Sequence, residues 1–248
     1  MTKFDMGAAW EDSMVLLRSH RGLIGAIAAV FLFLPALAFA WFGPVPVEPP
    51  TGATFEQIVS SMRENISQML VGRIIAGLFA MVGGLAILRL WLSRGGVSVG
   101  EALRFAAIMI PTIIGVQIAS GILIFGGVLL FILPGLYLAG RLALVSPVIA
   151  DRGLHDPLAA IRISWDMTRN NGWAIFFFVF LVALVIGIAS LIAGGIVGAV
   201  FGTAEGVGRM VTGFVEAGFA ALTGLVTLAI TAAAYRQLSV SPASDTFG

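Results

Sequence analysis

The chain has 248 residues, 59% of them apolar and only 11% charged, with a formal net charge of +1. Soluble domains carry about a quarter charged residues, so an ordinary water-soluble fold is excluded, and the balanced charge speaks against a nucleic-acid partner. There is no cysteine, which removes disulfides, thiolate metal sites and cysteine nucleophiles.

The few charges are clustered. No Asp, Glu, Lys or Arg occurs from Gly22 to Val47, from Phe105 to Gly140, or from Ala174 to Ala204. A hydrocarbon core of about 30 Å takes roughly 20 helical residues, so each run can span and the second can span twice. Two further stretches, Ile74 to Leu92 and Val211 to Tyr235, are broken only by Arg89 and by Glu216. The expected fold is an all-α, polytopic membrane bundle forming a single domain. Its six spans lie at about 23–41, 74–92, 105–125, 128–150, 174–200 and 211–235.

Residues 5–20 come first. They place Met6, Trp10, Met14 and Leu17 on one helical face, which predicts a short helix lying on the headgroups. The first apolar run ends near Ala38-Phe39-Ala40, a cleavage-like site. Asp5, Glu11 and Asp12 and the run's continuation into Trp41 and Phe42 favour an uncleaved first span. Four prolines in Gly43–Pro50 exclude helix there. Thr54 and Gln57 then have capping-box spacing, opening an amphipathic helix that should lie on the outer face before span two. Arg89 and Arg94 at the end of that span can snorkel to headgroups.

Ser98 and Glu101 form a second capping box, starting a short helix into span three. The run that follows must turn back once. Gly126-Gly127 divides it evenly and is the expected turn, with Pro134 a kink inside span four. Asp156-Pro157 is a helix start, and Asn170-Asn171-Gly172 ends that helix. On this interfacial helix, 156–171, Leu158, Ile161 and Trp165 share an apolar face. Arg162, Asp166 and Arg169 share another, spaced for ion pairs. Trp173 falls at headgroup level.

Six spans put both termini on one side. That side receives Lys3, Arg18, Arg21, Arg94, Arg104, Arg152, Arg162, Arg169 and Arg236. The other receives Arg63, Arg73 and Arg209 with Glu48, Glu56, Glu64 and Glu205, so the positive-inside rule makes the termini cytoplasmic. A weak repeat is visible: three times a short helix feeds an out-and-back pair of spans.

Four features carry candidate chemistry. Arg141 lies about 15 Å inside span four, where a charge costs about 2.5–3.5 kcal/mol on insertion scales. It is either an anion or lipid-phosphate contact or a structural group bonded to an acid or to carbonyls freed by the kink. Glu216 is either a structural partner of Arg73 at similar depth or a proton-coupling carboxylate. Gly194, Gly198 and Gly202, with the stripe Thr223, Thr227 and Thr231, suit close packing between consecutive helices, a homodimer or other homo-oligomer seam, or a polar pathway. His20 and His155 give no metal-ligand spacing. No nucleophile–base pair or phosphate loop occurs, so neither enzyme activity, a cofactor nor a metal is expected.

The order Pro134-Gly135-Leu136-Tyr137, Arg141-Leu142, Ala160-Ile161-Arg162, Ser164-Trp165, Thr168-Arg169-Asn170 and Trp173 resembles the YciC-like bacterial integral membrane proteins. It also resembles the related membrane domain fused to some glycerophosphodiester phosphodiesterases. The likeness is concentrated in residues 130–180. It implies a multi-pass inner-membrane protein of envelope or membrane-lipid homeostasis, with membrane lipids or a membrane-protein partner. The soluble barrel that performs hydrolysis in fused members has no counterpart in these 248 residues, so phosphodiesterase activity is not implied. The alternative from the residues alone is a transporter or channel. It would need a polar cavity near mid-membrane reached by Arg141.

Overall fold

The structure, a computed structural model, describes residues 3–93, 95–202 and 206–239. Arg94 and Glu205, assigned above to the two sides of the membrane, lie outside the described residues. Among the described residues there are helices and no strands, and six segments are long and apolar enough to cross a membrane. The all-α polytopic class is as expected.

A short helix α1 (Met6–Arg18) precedes the first span, which is α2 (Arg21–Ala28), a π-helical turn (Ala29–Phe33) and α3 (Leu34–Phe42). The turn widens where Pro35 offers no amide and its ring would crowd the carbonyl one turn back. The expected helix on the outer face does not exist as a separate element. Thr54 and Gln57 do form their capping box, but the helix they open, α4 (Phe55–Leu92), runs 38 residues without a break. At 1.5 Å per residue that is about 57 Å, so its first half projects beyond the bilayer. The proline-rich loop is hooked to this half by a reciprocal pair: Val47 N–H donates to Asn65 Oδ1 at 2.7 Å, and Asn65 Nδ2 donates to Val47 O at 2.9 Å.

Helix α5 (Val99–Ile108) is followed by α6 (Ile110–Leu130). The chain reverses at Phe131, whose backbone is extended, and not at Gly126-Gly127. Gly126 faces open space, but Gly127 is needed for something else. A Cβ on Gly127 would meet the Gly135 backbone at 3.0 Å, and one on Gly135 would meet the Val128 amide nitrogen at 2.7 Å. Gly127 and Gly135 are where the two arms of the hairpin touch. Span four is two helices, α7 (Ile132–Leu142) and α8 (Val145–Arg152). Pro134 lies in the first turn of α7, where amides lack partners anyway, so it kinks nothing. The break falls at Ala143–Leu144 because Pro147 cannot donate to the Ala143 carbonyl. The remaining helices are α9 (Pro157–Met167), α10 (Gly172–Phe201) and α11 (Gly206–Ser239).

Packing is uneven along the bundle. Apart from Ser61 on α4 and Gly208, Gly213 and Ala217 on α11, the buried residues of α4 run from Gly83 to Leu92, those of α11 gather between Val226 and Tyr235, and α10 buries only Gly172, Ile175 and Phe178. All of these lie toward the end that carries both termini. That end holds the core, and the far end is looser.

The three short helices α1, α5 and α9 each precede an out-and-back pair of spans, as the weak repeat suggests. They dock through small residues one turn apart: Ala9 and Ser13, Ala102 and Ala106, Ala160 and Ser164, each at most 1% exposed. Of the large apolar residues expected to anchor them, Trp10, Leu158 and Trp165 point outward, at 42%, 58% and 39% exposure, while Leu17 and Ile161 pack half-buried against the core. Small faces let a helix approach the bundle closely, and large residues then meet the interface. Helix α1 is therefore not merely laid on headgroups. Phe4 N–H donates to Asn171 Oδ1 at 3.0 Å and Arg236 pairs with Asp12 at 3.1 Å, the only ion pair among the described residues.

The second capping box gives a pH prediction. Ser98 N–H and hydroxyl donate to Glu101 Oε2 at 2.9 and 2.7 Å, and these bonds hold the carboxyl below the usual Glu range. A depressed folded pKa means the cap is intact above the unfolded value of about 4.3 and is lost as pH falls through the folded one. Protection of the Ser98 and Glu101 amides against hydrogen exchange should therefore drop below about pH 4. In Glu101→Gln, which keeps the box without the charge, the drop should vanish; an identical pH profile in that variant would refute this.

Candidate functional site

Arg141 sits in the last turn of α7 and is 4% exposed. Its Nε donates to Thr168 Oγ1 at 3.1 Å, one Nη donates to Tyr137 Oη at 2.7 Å, and the other donates to the Trp165 carbonyl. The guanidinium lies over the Trp165 ring at 4.0 Å and near the Tyr137 ring at 5.5 Å. The break at Ala143–Leu144 also frees Arg141's own carbonyl, and the Ser164 hydroxyl at 2.8 Å and Thr168 hydroxyl at 3.0 Å take it up. Both ends of one residue are thus held by α9.

No carboxylate lies within ion-pair distance of this cation among the described residues. Its counter-charge is the C-terminus of α9, where unpaired carbonyls carry about half a negative charge, together with the aromatic faces. The acceptor carbonyl is not one released at Pro134, as the sequence suggests, but one in the last turn of α9. The depth differs as well. Gly172, the first residue of α10, packs on Gly140: a Cβ on Gly140 would lie 2.1 Å from the Gly172 carbonyl oxygen. Arg141 is level with the first turn of α10, not midway along an unbroken span.

Two more arginines repeat this use. Arg89 does not snorkel; its Nη1 donates to the carbonyls of Ala150 and Asp151 at 2.7 and 3.1 Å, closing the end of α8. Arg209 donates to the Ala40 carbonyl at 3.2 Å and to that of Gly43, closing the end of α3. Each ties one helix to the C-terminus of another.

The remaining predicted groups fare differently. Trp165 and Trp173 both flank Tyr137, at ring separations of 6.5 and 5.7 Å, so the aromatic residues converge on Arg141. Arg162, Asp166 and Arg169 are exposed and form no ion pair. Arg169 lies past the end of α9, which stops at Met167 rather than 171, and Arg162 preceding Asp166 is the weaker order for such a pair. The stripe on α11 is self-contained: Thr223 and Thr231 bond back to Phe219 and Thr227 carbonyls at 2.8 and 2.9 Å. Gly194 faces open space, so the glycine stripe does not mark a tight contact there.

Compared with family models, curated proteins and solved structures, the chain matches none.

Glu216 and Arg73 do meet at one place, but not as a pair. Both line a cleft of about 1090 Å³ between α3, α4 and α11, with Arg209 and Glu48 at its edge. No oxygen of either acid lies within 4.0 Å of either guanidinium. Sequence reading missed Thr168, Ser164, Gly140 and Arg209. The signal for the first two was the small-residue spacing Ala160, Ser164, Thr168, a face that Ile161 shares.

Proposed function

We propose that this chain is a non-enzymatic multi-pass protein of the bacterial inner membrane, with both termini cytoplasmic, acting in envelope or membrane-lipid homeostasis. The resemblance to the YciC-like proteins suggests this role. The observation that carries it is the full engagement of Arg141. The one arginine buried in the bundle among the described residues is held by two hydroxyls, a carbonyl and two aromatic rings, which makes it an architectural group. A carrier built around Arg141 would present it to a polar cavity, and the charged cleft lies among other residues. What faces outward is apolar: α10 from Phe177 to Phe201 exposes Leu181, Leu184, Val185, Ile188, Leu191 and Ile192 to lipid.

A deletion strain tests the role: altered phospholipid composition, or lower tolerance of detergent and osmotic shock, is expected. Wild-type lipids together with wild-type tolerance would refute it. Orientation is testable because the chain has no cysteine. An impermeant thiol reagent should label Glu48→Cys, and not His155→Cys, in intact spheroplasts; the reverse pattern would invert the topology.

A further inference from the structure

The cleft away from the termini holds four charged side chains that leave one another unpaired. Among the described residues, Glu216 and Glu48 make no hydrogen bond, and Arg73 touches only the Met69 sulfur at 3.8 Å. Arg209 uses Nε and one Nη on carbonyls, leaving its other Nη without a partner. The Thr212 hydroxyl, on the same wall, is buried without a hydrogen-bond partner.

Height places these groups at a membrane boundary. From Arg89, at the core end of α4, to Arg73 is about 24 Å of helix, and from Arg236 to Glu216 on α11 about 30 Å. A hydrocarbon core is about 30 Å thick, so the charges sit where headgroups meet acyl chains. One turn nearer the membrane centre the same three helices contribute Ala36, Ala76 and Ala220. The cleft is thus charged at its mouth and apolar and narrow-walled beneath, with room between small side chains.

We propose that this cleft binds a zwitterionic phospholipid, an ammonium and a phosphate on one headgroup, with an acyl chain against the alanines. The inference rests on the membrane-lipid reading above and names the ligand of that site. Two guanidiniums and two carboxylates sum to zero, so a pure anion or a pure cation leaves one pair uncompensated at a boundary where unpaired charge is costly. A ligand bearing both signs satisfies both. Arg73 and the free edge of Arg209 take the phosphate, Glu216 and Glu48 the ammonium, and Thr212 offers a hydroxyl to phosphate or ester oxygen.

The test uses the full chain in detergent, with lipid retention read by native mass spectrometry. Phosphatidylethanolamine should be retained in preference to phosphatidylglycerol. A hydrogen bond to a charged group is worth about 1.5–3 kcal/mol, so Glu216→Gln should weaken phosphatidylethanolamine retention about tenfold or more while leaving phosphatidylglycerol unchanged. Ala220→Phe, which fills the apolar wall and touches no charge, should also expel the lipid, and it serves if Glu216→Gln fails to fold. Equal retention of both lipids, unaffected by either variant, overturns the proposal. Displacement by soluble phosphoethanolamine as effective as by the lipid, with Ala220→Phe inert, assigns the site to a soluble ligand and overturns it equally. Failure here alongside altered lipids in the deletion strain removes the cleft ligand and spares the homeostasis role; the opposite pair of results removes the role and spares the cleft.

Discussion

Gly140→Ala is expected to be among the most destabilising glycine-to-alanine changes at the described residues. Its new Cβ would lie 2.1 Å from the Gly172 carbonyl oxygen and 2.9 Å from the Phe176 Cβ. The first obstacle is backbone, so no rotamer change relieves it and α7 must move off the start of α10. Overpacking of this kind costs about 1–3 kcal/mol or more, and the shift would also disturb the hydrogen bonds of the next residue, Arg141. Gly172→Ala should cost somewhat less, because its new methyl meets the Arg141 Cδ at 2.7 Å, a side-chain atom that can shift only by disturbing the Arg141 hydrogen bonds, rather than backbone. Gly187→Ala on α10 meets nothing within 4 Å and should be neutral or stabilising by about 0.5–1 kcal/mol. Thermal melting in detergent gives the order, and a Gly140→Ala protein that melts with wild type would refute the close contact.

The second large effect is an ordering. Thr168→Val should destabilise more than Arg141→Met, although the arginine is the charged residue. Valine removes the oxygen that accepts from Arg141 Nε at 3.1 Å and leaves a buried cationic donor without its partner, a loss of about 2–3 kcal/mol. Arg141→Met orphans the Trp165 carbonyl but also takes a charge out of a low-dielectric site. Because Arg141 has no carboxylate partner among the described residues, its removal strands no opposite charge, and the cost is the unpaired carbonyl, about 1 kcal/mol. Thr168→Ser, which keeps the hydroxyl, should retain most of the stability. If Arg141→Met proves the worse variant, the cation is doing more than holding α9 in place.

Spans were legible because charge-free runs reflect a cost per residue that lipid imposes everywhere. Both capping boxes were legible because the Thr54/Gln57 and Ser98/Glu101 bonds are local. The turn between α6 and α7 was not. Gly126-Gly127 reads equally as a bend or as a place where backbones touch, and only the position of Gly135 across the hairpin decides between them. The docking face of α9 was misjudged for a related reason. In water the large apolar residues Leu158, Ile161 and Trp165 would turn inward. Beside a bilayer Leu158 and Trp165 have an apolar neighbour outside, and close approach selects Ala160 and Ser164 for the inside, with Ile161 half-buried beside them. Arg141 was recognisable as out of place, yet its partners were not, since a hydroxyl and a main-chain carbonyl leave no complementary charge in the sequence. The expected Glu216–Arg73 pair failed because equal depth on two helices does not fix which way either side chain leans.

The Arg141 clamp also has a bearing on how the chain enters the membrane. The Trp165 carbonyl and the Thr168 hydroxyl lie 24 and 27 residues after Arg141. At about 5–20 residues per second of synthesis, the guanidinium emerges roughly one to five seconds before they exist, with Tyr137 as its only partner already made. During that interval α7 carries, near the membrane boundary, an arginine whose burial only Tyr137 yet offsets. The hairpin of α6 and α7 can therefore become fixed only once α9 has been synthesised and folded back over it, so span four commits to the bilayer late, on a signal supplied by residues that never cross it.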